Sequence, residues 1–114
     1  MKQENAIQLL QTVQQENAYV KVVQQLNKDM YMAALDIEFP TDIPPESLVK
    51  NLEIQLETLL LRQYDDYLNL MYRVDVQEAD LLKLNGLFAD DLLKEITFLI
   101  LKREWQKVYF RSKF

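Results

Sequence analysis

The sequence predicts an all-α protein: a four-helix bundle-like domain with one short connecting helix. Three observations predict it. Apolar residues recur at helical rather than alternating spacing. A single Gly and three Pro in 114 residues supply too few turn formers for a many-stranded β fold. A chain that is 49% hydrophobic and 27% charged can bury one core, and it falls outside the disordered class. Residues 1–114 therefore read as a single domain, with the proline-rich stretch 40–45 separating the N-terminal helix from the rest.

On a 100° wheel the first helix places Leu9, Leu10, Val13, Val20, Val23, Met30 and Ala34 on one side. Glu16, Gln24 and Asn27 fall on that same side and dilute it. The many glutamines before residue 26 read as solvated positions filled by good helix formers. Residues 30–39 read as the end of this helix followed by an extended piece. The run Phe39-Pro40-Thr41-Asp42-Ile43-Pro44-Pro45 stops any helix arriving from the N-terminal side.

The second helix starts near Pro45, a residue suited to a first helical turn. Its main stripe is Leu48, Val49, Leu52, Leu56, Leu59, Leu60, Tyr67, Leu70, Met71 and Val74. Ile54, Leu61, Leu68 and Tyr72 form a second stripe on the opposite side. A helix apolar on two faces is central in a bundle, or else turns one face to another chain. Gln63-Tyr64-Asp65-Asp66 is where it would bend, with no Pro or Gly to force a kink.

Asp75 is expected to cap a short third helix over 77–85, with Glu78 three residues on as the acidic half of a capping box. Asn85-Gly86 ends that helix, the glycine taking the left-handed conformation. The last helix covers 89–111, with Asp90 and Asp91 in its first turn and basic residues towards its end, as the helix dipole favours. It too carries two stripes: Leu92, Ile96, Leu99 and Phe110 on one side, and Phe98, Leu101, Trp105, Val108 and Tyr109 on the other. The run of residues 96–101 alternatively reads as a buried strand; charge placement and the lack of turn residues favour helix.

Charge is uneven. Residues 1–93 hold 7 basic and 16 acidic groups, net −9, whereas 94–114 hold 6 basic and 2 acidic, net +4. The acidic body would repel nucleic acid at long range. Met1-Lys2-Gln3-Glu4-Asn5 begins no secretory leader, and Phe98-Leu99-Ile100-Leu101 is far too short to span a bilayer. The expectation is a soluble protein of the cytoplasm.

The segment Leu70-Met71-Tyr72-Arg73-Val74-Asp75-Val76, with Arg103-Glu104-Trp105-Gln106-Lys107-Val108 in the last helix, resembles a group of short bacterial helical proteins of unassigned role. The resemblance covers the C-terminal half. It implies a helical chain of bacterial origin, and neither an activity nor a site.

With no Cys and no His, thiol and imidazole chemistry are excluded, and so is a conventional nucleophile–base pair for Ser47 or Ser112. Carboxylate pairs remain: Glu53 with Glu57, and Asp91 with Glu95, each projecting from one helix face. Such pairs hold a hard cation only with further oxygen donors, and as they stand they read as solvated helix faces. No catalytic residue, cofactor or metal ligand is assigned, and the chain reads as a non-enzyme. Arg73 and Asp75 read as a local structural pair.

Two surfaces are candidates for a partner. The surplus apolar stripes, Ile54, Leu61, Leu68, Tyr72, Phe98, Leu101, Trp105 and Tyr109, point to another protein or a second copy of the chain. The basic residues Lys102, Arg103, Lys107 and Arg111, with Lys113 among Trp105, Tyr109, Phe110 and Phe114, could grip a nucleic-acid strand or an anionic surface. The simpler reading makes those aromatics core and those cations partners of the helix C-terminus. The preferred expectation is a small non-catalytic protein–protein interaction or self-associating protein. Nucleic-acid binding comes next, and a carboxylate-based Mg²⁺-dependent hydrolase last.

Overall fold

A computed structural model describes residues 5–113. Phe114, and residues 1–4 of the leader argument, lie outside them. Six helices form in chain order: α1 (Ala6–Gln15), α2 (Tyr19–Met32), α3 (Pro45–Arg62), α4 (Tyr64–Val74), α5 (Glu78–Leu82) and α6 (Ala89–Lys113). The all-α, bundle-like architecture is as expected. The number of helices differs because two expected helices are each broken in the middle.

The breaks follow from helix-end chemistry. Asn5 opens α1 with a capping box, its Oδ1 accepting from Gln8 N at 2.9 Å while Gln8 Oε1 accepts from Asn5 N at 3.1 Å. At the other end Asn17 turns left-handed (φ 55°), and Ala18 N donates to Val13 O at 3.1 Å. Ala34 (φ 61°) closes α2 in the same way, with Leu35 N donating to Met30 O at 3.0 Å. Asp75 (φ 68°) closes α4. With one Gly in the chain, left-handed helix ends fall to Asn, Asp and once to Ala, where the steric cost is about 1–2 kcal/mol. Of the first stripe, Val20 is exposed in the first turn of α2 and Ala34 lies beyond its end in the left-handed turn, while Val23 and Met30 stay buried.

Asp75 is thus the end of α4 and does not cap α5, whose N-cap is Gln77 without a side-chain bond. Gly86 is left-handed as expected (φ 92°), though in the turn beyond α5. The expected long helix divides at Gln63 (φ −140°, ψ 57°), with neither Pro nor Gly involved.

Residues 35–44 cross over α2 without helix or strand, with a turn at residues 41–42. Asn27 pins them through paired bonds to Phe39, Nδ2 donating to the carbonyl and Oδ1 accepting from the amide, both at 2.8 Å. Tyr19 donates its hydroxyl to Ile43 O, and burial pushes that hydroxyl's pKa up to about 12. The intruding polar Asn27 of the first stripe therefore holds the connection in place.

Helix α6 is central and packs against α1, α2, α3 and α4. Its buried line is Leu93, Ile96, Thr97, Ile100, Leu101, Glu104 and Val108. Around it stand Leu10, Leu26, Met30, Leu48, Leu52, Leu56 and Leu70, all without solvent contact. A smaller cluster of Val13, Ala18, Val22 and Val108, flanked by Tyr19 and Trp105, fills the inside of the α1–α2 bend. The radius of gyration, 13.4 Å, is that of a close-packed chain of this length.

Candidate functional site

Three of the six basic residues of α6, Arg103, Lys107 and Arg111, are turned to internal use. Arg103 donates from Nε to Asp75 O at 3.1 Å and from Nη2 to Asp75 Oδ2 at 3.0 Å. Lys107 Nζ donates to Arg73 O at 3.0 Å and to Asp29 Oδ2 at 2.7 Å. Both cations thereby sit on the negative end of α4, a tertiary cap for its last carbonyls. Arg111 Nη2 donates to Gln25 Oε1 at 2.6 Å. Of the four residues expected to form a free basic patch, Lys102 alone has no such bond among the described residues. Three of these cations thus fasten α6 to α2 and α4, as in the simpler reading that makes them structural. Asp75 accordingly pairs with Arg103 and not with Arg73.

Beneath these contacts lies a polar centre that the sequence patterns did not reveal. Glu104 is wholly buried, and so is Thr97 two turns earlier on the same face of α6. Thr97 Oγ1 and both Glu104 oxygens close no hydrogen bond. Lys107 Nζ lies 3.4 Å from Glu104 Oε1, and the Asp29 carboxylate is its other polar neighbour. Asp29 is itself buried and accepts from Gln25 Nε2 at 3.2 Å. The group contains two carboxyls and one ammonium. The short bond joins Lys107 to Asp29, so Glu104 has no counter-charge of its own. Burial first, then Asp29, pushes the Glu104 pKa up to about 9 despite the lowering influence of Lys107, and the carboxyl is neutral at pH 7. The available signal was position: Glu104 lies one turn after Ile100 and one turn before Val108, in the middle of the buried arc.

The eight expected partner residues separate by burial. Leu101 is fully buried, which corrects its assignment to a partner surface: the inner arc of α6 runs between its two predicted stripes and takes in Leu101. Phe98 and Trp105 are half-buried against the core. Tyr109 is exposed beside Trp105 and Phe110, at ring separations of 5.5 and 5.7 Å, with Lys113 Nζ 5.4 Å from its ring centre. Ile54 is exposed but borders a separate groove with Asp36, Phe39 and Asn51.

Leu61, Leu68 and Tyr72 fall together. Tyr64, Leu68 and Tyr72 form a row along the outside of α4 at 55%, 47% and 78% exposure, and Leu61 ends α3 at 76%. A groove of about 340 Å³ continues from Tyr64 and Leu68 to Leu81, Leu82 and Leu87. Tyr64 and Leu82 were not among the expected contacts, since the break at Gln63 and the placement of α5 bring them there. Tyr64 stacks on buried Tyr67 at 5.7 Å. Burial, and secondarily Tyr64, raises the Tyr67 pKa to about 12.

Glu53, Glu57, Asp91 and Glu95 come together in no cluster of three or more acidic groups able to hold a metal among the described residues. No helix of the described residues is long and apolar enough to cross a membrane. Compared with family models, curated proteins and solved structures, the chain matches none.

Proposed function

We propose that the chain is a small, non-catalytic protein–protein interaction protein whose contact surface is the outer face of α4 together with the adjoining α5 groove. The supporting observation is the uninterrupted row of Tyr64, Leu68 and Tyr72, held open to solvent on a helix whose other side is fully packed. Rigid aromatic side chains on a firm helix lose little entropy on binding, and tyrosine is enriched at energetic centres of interfaces. The acidic body and the internal use of Arg103, Lys107 and Arg111 weigh against a nucleic-acid role.

The test is paired affinity capture with the wild-type chain and a Leu68→Glu/Tyr72→Glu variant, each also run for self-association by light scattering. Both residues are exposed, so the variant keeps its fold, which circular dichroism checks. Loss of a specific partner, or of self-association, in the variant alone is the expected result. Identical partners and identical mass for both proteins would refute the assignment.

A further inference from the structure

We propose that the partner of this face is a second copy of the chain, docked α4 against antiparallel α4 about a two-fold axis at Asn69. The proposal rests on the interaction reading above and names its occupant. Two adjacent rows run along the outside of α4 at four-residue spacing: apolar Tyr64, Leu68 and Tyr72, and polar Asp65, Asn69 and Arg73. Asp65 and Arg73 are exposed and enter no ion pair among the described residues; the Arg73 guanidinium lies 6.0 Å from the centre of the Tyr72 ring.

A two-fold axis makes a surface meet its own reverse. Asp65 and Arg73 both stand four residues from Asn69, about 6 Å along the helix on either side. With the axis there, Asp65 of each copy comes level with Arg73 of the other on the same flank, giving two ion pairs of matched sign. A parallel arrangement would instead set Asp65 against Asp65. The same register places Tyr72 of one copy between Tyr64 and Leu68 of the other, so the apolar rows interdigitate rather than collide.

Long-range charge favours this face as well. Two chains of net −5 repel one another, but around this row Arg62 and Arg73 balance Asp65 and Asp66. Residues 61–74 are thus neutral in sum, and the acidic excess of residues 1–93 lies off this contact.

Sedimentation from low to hundreds of micromolar tests it, using the wild type, Asp65→Arg, Arg73→Asp, and an equimolar mixture of those two variants. The wild type is expected to dimerise, and each variant alone to associate at least about tenfold more weakly, because like charges then face each other. In the mixture the pairs are again opposite in sign, and association returns as a heterodimer. A wild type that stays monomeric, a dimer unmoved by either reversal, or a mixture that fails to recover overturns the pairing. A monomeric wild type that still loses a foreign partner through Leu68→Glu/Tyr72→Glu overturns self-pairing while leaving the interaction surface standing. If those substitutions alter neither mass nor capture, both fall.

Discussion

Glu104→Gln is expected to make the protein more stable at neutral and alkaline pH, an unusual outcome for a change at a fully buried position. In the folded chain the Glu104 pKa stands at about 9, raised from 4.5, because burial and Asp29 oppose its ionisation more than Lys107 favours it. Between those two values the folded state holds one proton that the unfolded state has released. Stability contributed by this group is therefore complete below about pH 4.5, declines as pH rises, and is lost once pH passes about 9. The slope is about 1.4 kcal/mol per pH unit for one proton. From pH 5 to pH 8 the wild type should lose up to about 4 kcal/mol through Glu104 alone. Glutamine has nearly the same shape, carries no proton to lose, and can turn its amide donor towards Asp29. The assay is urea unfolding followed by circular dichroism at intervals between pH 5 and pH 8.5. The two proteins should be nearly equal at the acidic end and diverge steadily above it, with the variant up to about 4 kcal/mol higher in unfolding free energy at pH 8. Parallel pH profiles, or a variant weaker than wild type at pH 8, would refute the account of a neutral buried carboxyl.

Two further outcomes follow from the same structure. Lys107→Met removes the one cation serving Asp29 and Glu104 and the donor to the α4 end, and should destabilise the fold by about 3–5 kcal/mol, read from the same urea curves. Ala34→Gly relieves a left-handed alanine at the exposed end of α2 and should raise stability by a few tenths to about 1 kcal/mol; a loss would show that the flexibility gained by the unfolded chain outweighs the strain removed.

The internal contacts of α6 give a physical reason for the charge gradient along the chain. The cations of the last helix are placed where two other helices offer buried or terminal negative charge: Asp29 on α2, and the carbonyls and carboxylate that end α4. Their chief effect is to fix the relative position of α2, α4 and α6. The outer row of α4 is consequently carried on a helix anchored at its C-terminal end, which supplies the rigidity that an aromatic contact surface requires.

Local chemistry by itself determined that this chain is helical, because the 3.6-residue period, the scarcity of Gly, the Pro40–Pro45 stop and the charge at the helix ends all act within a few residues of one another. It also marked Leu61, Leu68 and Tyr72 as surplus apolar surface, since they oppose the stripe that must face inward. Only the tertiary structure decided which of the surplus residues stay outside. Leu101 looked equivalent to Leu68 on a wheel, but α6 is enclosed on several sides by other helices and α4 is not. The end of the first helix within 30–39 and the bend at Gln63 were legible, but the break at Asn17 was hidden because no glycine announces it. The Glu104–Asp29–Lys107 centre was hidden for a further reason: whether a charge on an apolar arc is neutral and buried or ionised and exposed depends on what packs against it, and Asp29 lies 75 residues away in the chain.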